Sequence, residues 1–421
     1  MNLHVLQRVH NKKMTTTADT QALLGQLLDP SNRADPYPAY EQIRARGRLL
    51  LPEAHLTVFS SFTECDDVLR HPSSASDRMK STLAQRAVAN GEVERPLGPP
   101  GFLFLDPPDH TRLRKLVSKA FVPKVVKALE PDITAMVNEM LDRIEERGTF
   151  DVIADLAHPL PVAVICRLLG VPIEDEPKFS RASALLAQGL DPFVTFTGQA
   201  SGNFEERMQA GHWLRGYIAG LIEERRSVPR DDLISGLIAA EEDGDQLTED
   251  EIVATCNLLL IAGHETTVNL IANAILAMLR HPTQWTALAA DPSRVSAVIE
   301  ETMRYDPPVQ LVGRVAGDDM TIGDTDIVKG DTMMLLLAAA QRDPASVDRP
   351  NEFDPDRETI RHLGFGKGPH FCLGAPLARL EASVALSAVT ARFPKARLID
   401  EPVYKPNVTL RGMDSLGIAL S

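Results

Sequence analysis

Apolar residues recur at three- and four-residue intervals through most of the chain, the period of helices with one buried face. Runs that read as strands are few and short: 56–59, 320–322 and 333–337. The pattern predicts a mainly α fold with a small β subdomain. Its longest element starts after the acidic stretch 241–245, where Thr248 and Glu251 have capping-box spacing. Apolar positions continue to Arg280, and His281-Pro282 ends the helix. About 33 residues at ~1.5 Å rise make a rod of ~50 Å, long enough to cross the whole molecule as a central helix. Two stretches interrupt the helical pattern. Residues 76–104, rich in Gly, Pro and Arg, read as a long irregular loop. Residues 188–203, with Leu190, Phe193 and Phe196 among Gly and Thr, read as a candidate lid. The first twenty residues lack an apolar run and are expected to form a mobile tail, leaving 21–421 as a single domain.

Composition narrows the class. A chain of 421 residues, 44% hydrophobic and 24% charged, matches a soluble globular protein that needs no disulfides. With 58 acidic and 44 basic residues the net charge is −14, which disfavours nucleic-acid binding. Cys65, Cys166, Cys256 and Cys372 are scattered without CxxC spacing. That spacing argues against a disulfide scaffold and a structural zinc site, and makes the cytoplasm the expected compartment. The most membrane-like segment, 252–279, is interrupted by His264 and Glu265, so no membrane span is expected. A carboxylate at that depth is costly in lipid and in a protein core alike, and therefore points to function.

The most specific chemistry lies in Phe365-Gly366-Lys367-Gly368-Pro369-His370-Phe371-Cys372-Leu373-Gly374, ahead of an alanine-rich helical run. Cys372 opens that helix. Gly366 and Gly368 permit a tight bend that turns backbone N–H groups onto the sulfur, and the helix N-terminus adds positive potential. Both favour thiolate over thiol. Gly374 removes a side chain where a flat, bulky ligand would approach.

The F-G-x-G-x-H-x-C-x-G pattern resembles the haem-binding loop of the cytochrome P-450 monooxygenases of the soluble bacterial type, and the resemblance extends from about Asp35 to the C-terminus. It implies a single-domain cytochrome P-450 fold with the long central helix over the haem. It implies haem b, with Cys372 as axial iron ligand and Phe365, His370 and Gly374 around it. Ala262-Gly263-His264-Glu265-Thr266-Thr267 then matches the oxygen-activating helix: Ala262 and Gly263 leave a groove one turn before Thr266, and Glu265 and Thr266 match the family's acid–alcohol proton relay. His264 falls at a variable position. Glu301, Arg304 and Arg357 resemble the family's structural ion triad, although the same Glu/Arg spacing recurs at Glu41/Arg44, Glu92/Arg95, Glu223/Arg226 and Glu358/Arg361. His110, Arg114, Arg314 and His370 match positions that bind the haem propionates.

Arg112, Lys115 and Lys119, followed by Lys124 and Lys127, form a basic strip on an acidic chain. The resemblance makes it the docking face for an acidic ferredoxin or flavodoxin, which with its reductase would bring electrons from NAD(P)H. The segments 81–104, 185–204, 309–312 and 413–416 are expected to face the substrate, and they are largely apolar. They suit a hydrophobic small molecule of lipid, terpenoid or polyketide type. Two other functions compete: a peroxide-driven peroxygenase, which would be expected to lack the acid–alcohol pair, and a non-catalytic haem-binding or sensing module, which a disrupted relay would suggest.

Overall fold

In the computed structural model, which describes residues 17–91, 99–187, 204–242 and 245–420, the long helix spans Glu249–Arg280. Its capping box is complete: Thr248 Oγ1 accepts from the Glu251 N–H at 3.3 Å, and the Glu251 carboxylate accepts from the Thr248 N–H at 2.8 Å. At the other end the His281 N–H closes onto the Ala277 and Met278 carbonyls, and Pro282 starts a new helix. Among the described residues this is the one helix long and apolar enough to cross a membrane, yet most of its length is enclosed by protein. Helices Pro159–Leu169, Phe204–Ser227, Val295–Tyr305 and Ala375–Arg392 pack around it. A helix apolar on all sides requires such a sheath.

The main sheet has five strands, in the order Leu49–Leu51, Leu56–Phe59, Thr332–Leu335, Val312–Ala316, Ser74–Ala75. Leu56–Phe59 and Thr332–Leu335 run parallel and the other pairs antiparallel. Both faces are covered. Val58 and Met334 point into one apolar cluster with Leu27 and Ile43, while Phe59, Met333 and Leu335 point into another with Phe62 and Val68. That alternation is the two-residue period of a strand buried on both sides. Met320–Ile322 pairs with Thr325–Ile327 as a separate hairpin turning at Gly323, whose φ is +60°.

The structure corrects three expectations. The strand expected at 333–337 is Thr332–Leu335, and Leu337 already begins the short helix Leu337–Gln341. The stretch 76–104 is not all irregular: Ser81 Oγ accepts from the Ala84 N–H at 3.1 Å and caps a helix over Thr82–Ala89. The first helix, Thr17–Leu28, begins inside the stretch expected to be a tail. The candidate lid at 188–203 lies outside the described residues.

The Glu301 cluster anchors the fold beneath the site. Arg304 donates to both carboxylate oxygens at 2.8 Å, Arg357 Nε donates at 3.1 Å, and the Asp354 N–H adds a fourth bond at 2.8 Å. Arg304 and Arg357 also reach the carbonyls of Pro350, Glu352 and Arg349, fixing the irregular segment before the cysteine loop. Glu301 and Arg304 are completely buried. Removing the carboxylate would strand two guanidinium groups, so Glu301→Ala is expected to destabilise the fold by about 3–5 kcal/mol, read as a lower denaturant midpoint. A loss below ~1 kcal/mol would mean that water replaces the carboxylate.

Candidate active site

The cysteine loop is folded by its glycines. Gly366 and Gly368 have φ of +70° and +66°, and Gly368 packs so closely on the Leu69 carbonyl that a Cβ would collide with it. The Cys372 N–H bonds the Phe365 carbonyl at 2.8 Å, closing the loop. Helix Ala375–Arg392 follows from Gly374, with Pro376 in its first turn. Cys65, Cys166 and Cys256 are buried; Cys372 is exposed. Protein atoms still crowd its sulfur, and this burial pushes the thiol up from its ordinary value. The N–H groups of Gly374 and Ala375 and the charges of Arg114 and Arg379 act the other way but do not win. The expected thiolate preference is therefore not achieved by the polypeptide alone. Nothing lies within 4 Å of where a Gly374 Cβ would be, so a broad ligand has clearance there.

Beside the sulfur stands a group of basic side chains with few anions. The rings of His110 and His370 lie 4.0 Å apart, and His110, buried on helix Asp109–Ser118, has no partner for either ring nitrogen among the described residues. Arg114, one turn along, donates to the Phe371 carbonyl next to Cys372. Among the described residues Arg314 donates to the neighbouring Gly313 carbonyl, at 2.9 Å. Burial, reinforced by Arg78, brings its guanidinium down to about 10. Burial and the charges of His110 and Arg314 bring His370 down to about 3. Asp106 is the nearby carboxylate, and it is engaged by Lys80 at 2.7 Å and by the Ser76 N–H. The cluster is under-supplied with negative charge.

The central helix carries the other residues expected at the site. Thr266 Oγ1 donates to the Ala262 carbonyl at 2.7 Å and Thr267 Oγ1 to that of Gly263 at 3.1 Å, as back-bonded helical hydroxyls do. A Cβ on Gly263 would meet Ile165 at 3.8 Å, so this glycine lies against helix Pro159–Leu169. Glu265 is bound by Lys405 at 3.2 Å. His264 packs edge-to-face on His158, ring centres 4.7 Å apart, and burial brings it down to about 3, so it is neutral at physiological pH.

Four features escaped sequence reasoning. Lys405, the partner of Glu265, is 140 residues away and carries no motif. Arg78 joins the cation cluster from the segment expected to be a loop. Glu300, beside the triad glutamate, forms a second cluster with Arg379 at 2.6 Å and His362 at 2.9 Å. Burial alone would raise its carboxyl, but these hydrogen bonds hold it down to about 2. Arg379 also covers the Phe365 ring at 4.4 Å, tying that cluster to the cysteine loop. Finally, the basic strip is thinner than expected. Arg112 is paired with Glu251, fastening its helix to the start of the central one, and Lys127 is paired with Glu130 at 2.7 Å.

Comparison with known proteins places this geometry. The Cytochrome P450 family model matches residues 68–397, and the chain belongs to that family. Crystal structures of CYP164A2 from Mycobacterium smegmatis, one ligand-free and one with econazole bound, are each 70% identical to this chain, with a TM-score of 0.90 over 95% of it and 100% of theirs. The vitamin D(3) 25-hydroxylase of Pseudonocardia autotrophica is 38% identical over 92% of this chain and 94% of its own length. The monooxygenase PikC of Streptomyces venezuelae is 37% identical over 96% and 95%.

The family implies haem, and the residues present fit it. An exposed cysteine faces clear space at Gly374, and orphaned imidazole nitrogens and charge-starved guanidinium groups suit two propionates. Hydrogen bonds to charged groups contribute about 1.5–3 kcal/mol each, so Arg314→Met should release haem about 10- to 100-fold faster. Transfer to apomyoglobin measures this. Unchanged release would remove Arg314 from the cradle.

Proposed function

We propose that this member of the cytochrome P450 family inserts one atom of dioxygen into a hydrophobic small molecule, with electrons from NAD(P)H delivered by a separate redox protein. The observation that carries this reading is Cys372, exposed just ahead of a helix, under two backbone N–H groups and beside a cluster of imidazoles and guanidinium groups short of hydrogen-bond partners among the described residues. Haem bound there supplies dioxygen binding and reductive cleavage. In this reading Cys372 Sγ holds the iron, and His110, Arg114, Arg314 and His370 hold the propionates. The small residues Ala262 and Gly263 keep the helix slim beside Thr266. The Thr266 hydroxyl passes a proton into the groove and is recharged by Glu265, which must first release Lys405.

The presence of both relay residues favours oxygen-driven chemistry over a peroxide-driven peroxygenase or a haem sensor. A hydrophobic substrate is supported by the econazole complex of the Mycobacterium smegmatis relative and by the relative named as a vitamin D(3) hydroxylase. Thr266→Ala tests the relay. The carbon monoxide difference spectrum should be unchanged, while peroxide per NAD(P)H rises and product formation falls at least ~10-fold, since acid–base groups contribute about 10²–10⁴-fold. An unaltered product yield would take Thr266 out of the mechanism.

For the redox partner, Lys115, Lys119 and Lys124 are exposed, as are the apolar residues Val122 and Val125 near them in sequence and Phe371 in the cysteine loop. A basic rim around an apolar centre suits an acidic ferredoxin or flavodoxin. Replacing Lys115 and Lys119 by Glu should slow reduction by such a carrier and flatten its dependence on salt. A salt dependence identical to that of the parent protein would place docking elsewhere.

A further inference from the structure

Glu300 stands next to the triad glutamate on helix Val295–Tyr305 but belongs to a different group. One of its oxygens accepts from Arg379 Nε at 2.6 Å; the other accepts from Arg379 Nη2 at 3.0 Å and is 2.9 Å from His362 Nε2. The second ring nitrogen, Nδ1, accepts from the Gly364 N–H at 3.1 Å. Nδ1 therefore carries no proton, so the imidazole is neutral and donates to Glu300 from Nε2. These bonds keep the carboxyl ionised. The group holds one negative and one positive charge, which sum to zero.

Arg379 also bears on the cysteine loop. Its guanidinium covers the Phe365 ring at 4.4 Å, and the Phe365 carbonyl accepts the Cys372 N–H at 2.8 Å. Its charge reaches the sulfur, where it favours the anion. The carboxylate that grips Arg379 subtracts from that influence. Backbone carbonyls alone hold a guanidinium nitrogen in place, as they hold Nη1 of Arg304 and Nη2 of Arg357. A carboxylate does more: it holds the guanidinium and cancels its charge.

We propose that Glu300 sets the reduction potential at Cys372: by neutralising Arg379 it limits how far the polypeptide favours reduced iron over oxidised. Reduction takes one electron from the redox protein and converts ferric to ferrous iron, and no bond in the chain forms or breaks. A positive charge nearby favours the reduced state and a negative charge the oxidised one. Glu300 and Arg379 are positioning residues, since neither touches iron or substrate. Loss of the Glu300 charge leaves Arg379 uncompensated and raises the potential. Loss of the Arg379 charge leaves Glu300 uncompensated and lowers it. A cluster that served only as scaffold would disturb the loop in the same sense whichever partner was lost. The inference rests on Cys372 as the iron ligand.

Spectroelectrochemical titration of the substrate-free holoenzyme tests this. The variants are Glu300→Gln, Glu300→Asp, Arg379→Gln, Arg379→Lys and the double Glu300→Gln/Arg379→Gln. Arg379 and Glu300 keep 35% and 25% of their side chains exposed, so solvent screens the effect. At the parent's midpoint the ferrous-to-ferric ratio should be about two- to fivefold higher in Glu300→Gln and about two- to fivefold lower in Arg379→Gln, the range that such a pair supplies. The double variant, Glu300→Asp and Arg379→Lys should return close to the parent, and all should keep the red-shifted carbon monoxide band of a thiolate ligand. If Arg379→Gln loses that band, Glu300→Gln against Glu300→Asp decides alone. Shifts of one sign in both charge-removing variants, an unshifted midpoint in Glu300→Gln, or a Glu300→Asp shift equal to that of Glu300→Gln would overturn the proposal. A parent protein without the thiolate band defeats the reading of Cys372 and this inference together; an intact band with unshifted midpoints defeats this inference alone.

Discussion

The sulfur of Cys372 lies in a place where the polypeptide by itself favours the neutral thiol. Two backbone N–H groups and two arginines pull toward thiolate, and burial outweighs them. The basic side chains on the other side have the opposite deficit. His110, Arg314 and His370 are all held below their ordinary values because burial and mutual repulsion find too little negative charge to oppose them. One ligand relieves both deficits if it brings a metal cation to the sulfur and carboxylates to the basic cluster. Each half of the site is electrostatically incomplete in the manner the other half of a haem corrects, and such local conflict within a well-packed fold marks a binding site rather than a defect.

Holding these charges apart is the work of the ion clusters below. Glu300 and Glu301 are consecutive, so on a helix their side chains leave about 100° apart. Glu301 turns inward to Arg304 and Arg357 and fixes the irregular chain at 348–357. Glu300 turns toward Arg379 and His362, joining helix Val295–Tyr305 to the helix that Cys372 opens. Arg379 then lies over Phe365, whose carbonyl receives the Cys372 N–H. Sulfur position is therefore set by a continuous chain of charged and aromatic contacts.

What could be read from the sequence was what repeats locally. The capping box at Thr248, the period-2 strand Leu56–Phe59 and the glycines around Cys372 are short-range signals, and each appears where it was expected. The cation cluster was legible only through a motif, because His110, Arg314 and His370 come together from three distant segments. Lys405 and Arg78 were invisible for the same reason, with no local pattern to mark either. The basic strip shows the reverse error. Charges that look alike along a helix separate once packing is known, since Arg112 points back to Glu251 while Lys115 and Lys119 remain at the surface.

Glu265, the acid of the proposed relay, also has to be accommodated by the fold. An ionised carboxylate in the middle of an apolar helix needs a counter-ion, and Lys405 supplies one from outside that helix. The pair is only partly buried, 12% of the Glu265 side chain and 28% of the Lys405 side chain remaining exposed, so the attraction is screened by solvent. A fully buried guanidinium in place of Lys405 would have fixed the carboxylate, as Arg304 fixes Glu301. The two glutamates, both on helices packed against the heart of the molecule, differ in how tightly they are held: Glu301 is completely buried between two arginines, while Glu265 meets a single lysine and keeps part of its side chain exposed.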